Sequence, residues 1–298
     1  PFGNYNWVFD LHNRGKKSLA LDIRTEKGQE IAHRLIKQTD VFITNFRAPA
    51  LKRLRMDYDT LSVVNPRLIY AQGSAWGPNG PDKDKGGFDY GAFARSGMMA
   101  SFGEEGTPLV QCQPAMGDHI GGFQFFSAIG YALYHRERTG EGQSVHVSLY
   151  GSLLDAGSFS LQSTLATGEE VPRKSRRSAG NPLCNSYQDR DGQWFQLSMK
   201  QPAHTWHDFC QALGRPDIEQ DPRFQNTAAR AQHCQELVDL LDSIFAGMTV
   251  EQWDKACQGK EVYWSRACTY GAVAKDPQAW ANGYIVEVPH SDLGTYKT

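Results

Sequence analysis

Three things are missing from this 298-residue chain: a Cys-x-x-C pair, an apolar run near the roughly 18 residues a bilayer span needs, and any appreciable net charge, which is −2. Each absence removes a class of protein. The cysteines, Cys112, Cys184, Cys210, Cys234, Cys257 and Cys268, stand singly with no accompanying histidine pattern. Neither a structural zinc site nor a disulfide framework is therefore expected, and no metal ligands are assigned. No membrane span is expected. The opening Pro1 to Asn6 has neither the basic end nor the apolar centre of a signal peptide, which makes a cytoplasmic location the default. The near balance of acidic and basic residues argues against a nucleic-acid partner. No internal repeat or low-complexity tract is present.

With 40% hydrophobic residues the chain can bury a sizeable core, as one large domain plus a smaller one. Basic residues cluster at Lys16-Lys17, at Lys52-Arg53-Arg55 and at Arg173-Lys174-Arg176-Arg177. Such clusters suit a phosphate-bearing small ligand better than a polyanion, and a solvated face is the simpler reading of any one of them.

The first half alternates strand and helix signals. Ser18 to Ile23 reads as a strand, and Thr25 to Gln38 as an amphipathic helix with Ile31, Leu35 and Ile36 on one face. A buried strand over Asp40 to Asn45 follows, then helices over Pro49 to Leu54 and Tyr58 to Val64. Leu68 to Gly73 is a further strand, ended by Gly77-Pro78-Asn79-Gly80-Pro81. This rhythm predicts a Rossmann-like α/β domain with a parallel sheet and crossover helices. Ligands then bind beyond the carboxyl ends of the strands, near Asp22 to Arg24, Asn45 to Arg47 and Gly73 to Trp76. Gly121 to Arg138 reads as a long apolar helix, Val145 to Leu149 as a strand and Ser152 to Ala166 as a helix. The expected division is a large domain over residues 1–166, a polar linker over 167–185, a smaller α/β domain over 186–276, and a returning segment over 277–298. The smaller domain is made of Trp194 to Ser198, a helix near Thr205 to Leu213 and the segment from Ala228 to Phe245.

Asp118 lies in Gln113-Pro114-Ala115-Met116-Gly117-Asp118-His119-Ile120-Gly121-Gly122, at the mouth of the long apolar helix. Its carboxylate has four readings. It can cap the helix, attack an activated acyl group as a nucleophile, serve as a general base, or bind a metal, for which His119 alone is too little. The glycines favour the nucleophile: Gly117, Gly121 and Gly122 leave room for an acyl group, and their amides are candidate oxyanion donors.

Several motifs in one order then carry a resemblance. Asn13-Arg14-Gly15-Lys16-Lys17-Ser18-Leu19-Ala20-Leu21-Asp22-Ile23-Arg24, Lys27-Gly28, Thr39-Asp40-Val41, Asn45-Phe46-Arg47 with Pro49, Asn65 to Tyr70, Gly77-Pro78, Gly117-Asp118 and Gly140 to Val145 together resemble the family III coenzyme A transferases. The similarity is to the formyl-CoA and carnitine-CoA transferase type and covers nearly the whole chain.

The resemblance implies an α/β fold of a large and a small domain in an interlocked homodimer, and transfer of coenzyme A between an acyl-CoA donor and a small carboxylic acid. It makes Asp118 the catalytic residue, through an aspartyl anhydride and an aspartyl-CoA thioester. CoA is then a substrate rather than a permanently bound cofactor. Its adenine, ribose and phosphates fall to Leu21, Asp22, Ile23, Arg24, Asn45, Phe46, Arg47 and Arg53, and its thioester end to Phe88, Asp89 and Tyr90. The family pattern also starts earlier and runs further than this chain, which implies an incomplete enzyme. The glycine-rich loop of formyl-CoA transferases has no counterpart, Asn181 to Asn185 standing there as candidate substrate wall. The related α-methylacyl-CoA racemases carry histidine where Phe88 stands, thirty residues before Asp118. Phenylalanine cannot take up a proton, which disfavours that alternative. A non-catalytic partner subunit is a second alternative. The Gly-Asp-His form and the Gly77 to Lys83 loop are most similar to transferases for 2-hydroxy or aryl acids.

Overall fold

The computed structural model describes residues 6–200, 202–290 and 294–298. The chain divides into two compact units, one of Lys17–Arg173 and one that joins residues up to Lys16 to Lys174–Thr298. The chain-order start, helix α1 (Trp7–Asn13), belongs to the second of these.

In the unit of Lys17–Arg173 the order is α2 (Glu26–Ile36), β1 (Val41–Thr44), α3 (Ala48–Arg53), α4 (Tyr58–Val64), β2 (Ile69–Ser74), α5 (Asp89–Arg95), α6 (Met98–Ser101), α7 (Met116–Thr139), β3 (Gln143–Ser148), α8 (Leu149–Ala156) and α9 (Ser158–Thr167). The three strands form a parallel sheet in the order β1-β2-β3, with Val41 opposite Ile69 and Ile69 opposite Gln143. Parallel pairing needs crossovers of helix length, and the intervening helices supply them. The local signals are ordinary ones. Thr25 caps α2 by accepting the Gly28 N–H, Asp57 caps α4 from Thr60, and Pro49 sits in the first turn of α3. A Cβ on Gly28 would lie 1.9 Å from the Asp22 carbonyl oxygen, so only glycine fits that turn.

Four expectations change. Ser18 to Ile23 forms no strand: among the described residues it has no ladder partner, and Leu21 and Ile23 instead pack on the core of Ala32, Ile36, Leu51, Leu61 and Tyr70. On α2 the buried face is Gly28, Ala32 and Ile36, spaced by four, while Leu35 is half exposed. The helix expected over Ser152 to Ala166 is two, because Gly157 ends α8 and begins α9. The long helix begins at Met116, five residues early, so Asp118 is its third residue and Ala115 is its N-cap. Asp118 is therefore not the N-cap residue.

The second unit continues with β4 (Ser186–Gln188), β5 (Trp194–Leu197), α10 (Pro202–Leu213), α11 (Pro216–Gln220), α12 (Thr227–Gln232), α13 (Cys234–Phe245), α14 (Val250–Cys257), β6 (Trp264–Arg266), α15 (Tyr270–Val273), α16 (Pro277–Ala281), β7 (Glu287–His290) and β8 (Gly294–Lys297). An antiparallel β4-β5-β6 sheet carries one contiguous core in which Phe195, Phe245 and Trp253 meet edge to face. The β7–β8 hairpin is tied to the first helix through Arg14 to Thr298 Oγ1 (2.7 Å) and His290 to Asp10 (3.4 Å). All six cysteines are free, and burial pushes the Cys210 and Cys257 thiols up to about 12. The basic run resolves into local ties: Arg173 donates to the Thr107 carbonyl, Arg176 pairs with Asp242 and Arg177 with Asp239.

Candidate active site

The carboxyl ends of the parallel strands converge with the first turns of α7 in the unit of Lys17–Arg173. Two adjoining cavities open there. One, of about 470 Å³, is bounded by Phe46, Arg47, Lys52, Lys83, Lys85 and His146 among others. The other, of about 440 Å³, is bounded by Phe88, Asp118, Gly121, Gly122, Phe125 and Leu149 among others. Asn45, Gly73, Ser74, Ala75 and Gly87 line both, so the two cavities adjoin along these residues.

The cationic cavity is built by the turn after β1 and the loop after β2. Gln72 Nε2 donates to the Phe46 carbonyl (3.1 Å), and Phe46 N–H to Thr44 Oγ1 (3.2 Å), which fixes the Asn45 to Arg47 turn against the sheet. The loop that carries Lys83 and Lys85 is pinned at three places. Trp76 Nε1 donates to the Gly86 carbonyl (3.2 Å), Lys85 pairs with Asp82 (2.5 Å), and Arg95 pairs with Asp82 while lying over the rings of Trp76 and Tyr150. Hydrogen bonds from Lys85 and then Arg95 hold the Asp82 carboxyl below its usual range. A Cβ on Gly87 would lie 2.7 Å from Ala75 Cβ, so this return of the loop requires glycine. His146, half-buried on β3 opposite Gln72, has its imidazole pKa lowered by burial, which favours the neutral ring.

Asp118 is on the exposed side of the first turn of α7 and borders the second cavity. A carboxylate there sits at the positive end of a 24-residue helix. The helix is entered through Ala115 at φ 62°, a left-handed conformation that costs a non-glycine residue about 1 kcal/mol or more. Ala115 then accepts the His119 N–H at 2.9 Å.

The glycines do two different jobs. Gly117 and Gly121 are buried, and a Cβ on them would lie 2.9 Å from Asp89 Cβ and 3.3 Å from Leu149 Cδ2 respectively. They serve close packing of α7 against α5 and α8, and Gly121 also borders the cavity beside Asp118. Around Gly122 the space is open. Gly121 and Gly122 also lie beyond the first turn, where helical amides bond the carbonyl four residues back, so they are not oxyanion donors; only Gly117 lies among the unsatisfied first amides.

The nominated residues separate accordingly. Asn45, Phe46, Arg47, Phe88 and Asp118 border the cavities. Leu21, Asp22, Ile23 and Arg24 lie outside both. The Arg24 guanidinium is forked onto Asp22 at 2.9 Å for each bond, and that hydrogen bonding holds the Asp22 carboxyl at about 2. Arg53 is exposed outside both, and its neighbour Lys52 faces the cationic cavity instead. Asp89 is buried, 6% exposed. One oxygen accepts the Tyr90 N–H (2.9 Å), while Oδ2 has no partner. Tyr90 also lies outside both cavities. Lys83, Lys85 and His146 went unread; the alternating Asp82-Lys83-Asp84-Lys85 run was the available signal for the first two. His119, about 100° further round the helix than Asp118, borders neither cavity. Among the described residues no cluster of three or more His, Cys, Asp or Glu suited to a metal ion is assembled.

Comparison with known proteins agrees with this geometry. The chain is 32% identical to (R)-2-hydroxy-4-methylpentanoate CoA-transferase of Clostridioides difficile, over 97% of this chain and 72% of that protein. It is likewise 32% identical to cinnamoyl-CoA:phenyllactate CoA-transferase of Clostridium sporogenes, over 96% and 70%. A crystal structure from M. tuberculosis superposes with a TM-score of 0.85 at 28% identity, covering 96% of this chain and 76% of that one. A CAIB/BAIF family protein from Brucella suis gives 0.81 at 26%, covering 95% and 77%. Residues 2–298 match CoA-transferase family III, and with the strand-end cavities and Asp118 at their junction with α7, the chain belongs to that family and is a CoA-transferase.

Proposed function

We propose that CoA passes from an acyl-CoA donor to a carboxylic acid through covalent intermediates on Asp118. The observation that carries this reading is the pairing of cavities: a cationic one adjoining one that Asp118 borders, with five lining residues in common. Arg47, Lys52, Lys83 and Lys85 suit the phosphates, since their donors favour phosphate oxygens. The shared border of Asn45, Gly73, Ser74, Ala75 and Gly87 suits the thinner pantetheine arm. CoA binds as a substrate and leaves as product.

An Asp118 oxygen attacks the thioester carbonyl, the C–S bond breaks, and CoA departs as thiolate from an acyl-aspartyl anhydride. The thiolate attacks the aspartyl carbonyl and expels the donor's acid as carboxylate, leaving an aspartyl-CoA thioester. The acceptor carboxylate attacks that thioester carbonyl, its C–S bond breaks to free the CoA thiolate, and an anhydride re-forms. The thiolate then attacks the acceptor's carbonyl, which releases the new acyl-CoA and restores Asp118. No water is consumed, so the thioester energy is conserved. The apolar wall of Phe88, Phe125, Val147 and Leu149, together with the relatives' names, supports a branched or aryl 2-hydroxy acid as acceptor. The test is trapping: acyl-CoA with hydroxylamine or borohydride modifies Asp118, read by peptide mass spectrometry. Full transfer with Asp118 unmodified throughout would exclude the mechanism.

A homodimer, interlocked as in the family resemblance, belongs to the same proposal. Phe123, Phe126, Tyr131 and Tyr134 of α7 are each at least 64% exposed, and a contiguous apolar helix face of this kind marks an association surface. A cytoplasmic setting is proposed with it, in keeping with six free thiols. Phe126→Glu is expected to shift the purified protein toward monomer in sedimentation velocity.

A further inference from the structure

Along α7, Asp118, Gly122 and Phe125 are spaced by four and then three residues, which puts them on one face of the helix. All three border the same 440 Å³ cavity. Their environments differ in a way that measures length. At Gly122 a Cβ would meet nothing within 4 Å, so the helix surface next to Asp118 is bare. Phe125 borders the cavity one turn further on, and its Cε1 stands 4.0 Å from where a Cβ on Gly73 would lie, so the ring reaches from α7 toward the end of β2. Helical side chains lean toward the amino end, which carries the Phe125 ring back toward Gly122. From Asp118 to Phe125 the helix rises only about 10 Å.

We infer that the acyl group joined to Asp118 lies along α7 over Gly122 and is stopped by Phe125, so that these two residues set the acyl length the enzyme accepts. The inference rests on Asp118 being the acyl acceptor. Gly122 is kept small for a different reason from Gly117 and Gly121, which pack against neighbouring helices. The accepted class is an acyl group with a compact apolar body, since Val147 and Leu149 also face this cavity. Elongated chains meet the Phe125 ring.

The experiment compares acetyl-, butyryl-, hexanoyl- and octanoyl-CoA as donors for the wild-type protein and for Phe125→Ala, Gly122→Ala and Gly122→Leu. Alanine and leucine are good helix formers, so the glycine variants retain α7. Phe125→Ala is expected to raise kcat/KM for octanoyl-CoA relative to butyryl-CoA about tenfold, and Gly122→Leu to lower hexanoyl-CoA relative to acetyl-CoA by a similar factor. Gly122→Ala falls between wild type and Gly122→Leu. The acyl mass on the Asp118 peptide is recorded in the same incubations. Parallel chain-length profiles in all four proteins, with acyl mass on Asp118, would overturn the length gauge alone. Transfer without acyl mass on Asp118 would overturn the anhydride mechanism and the gauge with it.

Discussion

The two units distribute their aromatic side chains differently, although each has both buried and exposed ones. In the second unit Tyr187, Phe195, Phe209, Phe245 and Trp253 are fully buried in one continuous core. In the unit of Lys17–Arg173 Tyr70 and Phe93 are buried in two smaller clusters, while Phe123, Phe126 and Phe159 on α7 and α9 are 77%, 76% and 96% exposed. Their buried carboxylates follow the same division. Asp189 has both oxygens engaged, accepting the Asp191, Gln193 and Val250 amides at 2.7 to 2.9 Å. Asp89, packed beneath the turn that carries Asp118, leaves Oδ2 unsatisfied. The difference teaches where function is held. A continuous aromatic core is a stability device, whereas a row of exposed aromatics along one helix and an incompletely bonded acid beneath Asp118 support the proposal that ligand and partner contacts lie in the unit of Lys17–Arg173.

The largest expected effect is in the ligand-facing unit. Asp118→Ala removes the proposed nucleophile and is expected to lower kcat roughly 10³-fold or more, while CoA affinity measured by calorimetry and the unfolding midpoint stay near wild type. A comparable loss of stability would erase the contrast between the units. Trp253→Ala is the opposite case. It empties the centre of the second unit's core and is expected to cost about 3–5 kcal/mol in denaturant unfolding, whereas Phe123→Ala changes the stability of the dissociated chain by no more than about 0.5 kcal/mol.

A smaller effect separates the two carboxylates by pH. Burial works to raise the Asp189 pKa, but the Gln193, Val250 and Asp191 amides outweigh it, so its folded value lies below the ordinary 3.8. Its contribution is therefore complete above that ordinary value and is lost as pH falls through the lower folded one. Asp189→Ala is expected to cost about 1–3 kcal/mol at neutral pH, with the gap from wild type narrowing as urea melts are taken to more acid pH. A gap that widens in acid would reverse the sign. The smallest contrast is within α7. Gly117→Ala must push against Asp89 and is expected to destabilise by about 1–3 kcal/mol, while Gly122→Ala enters open space and stabilises by roughly 0.5–1 kcal/mol.

Legibility followed the range of the interactions. Helix α4 was readable residue for residue at Tyr58–Val64, because its cap at Asp57 and its spacing are local. The strand expected at Ser18 to Ile23 was not, because a strand exists only with a ladder partner and its own residues cannot say whether one is present. Leu35 illustrates the same limit on a helix. Periodicity placed it with Ile31 and Ile36, but the core met the Gly28-Ala32-Ile36 stripe instead. At the candidate site, Asn45 to Arg47 and Phe88 were nominated and border the cavities. Arg24 and Arg53, chosen for the same chemistry, do not: Arg24 folds onto its own neighbour Asp22, and Arg53 faces away one helical step from Lys52.

What the sequence alone determined is what ordered, short-range signals can hold: the βαβ rhythm, the caps and glycine stops, and the succession of motifs that marks the family. Which cations share a cavity, which glycines pack and which stays bare, and that Asp118 lies inside a first helical turn rather than at its N-cap position were decided only in three dimensions. The reason is physical. A side chain's direction is set by the packing of elements distant in sequence, and one residue along a helix turns it by about 100°.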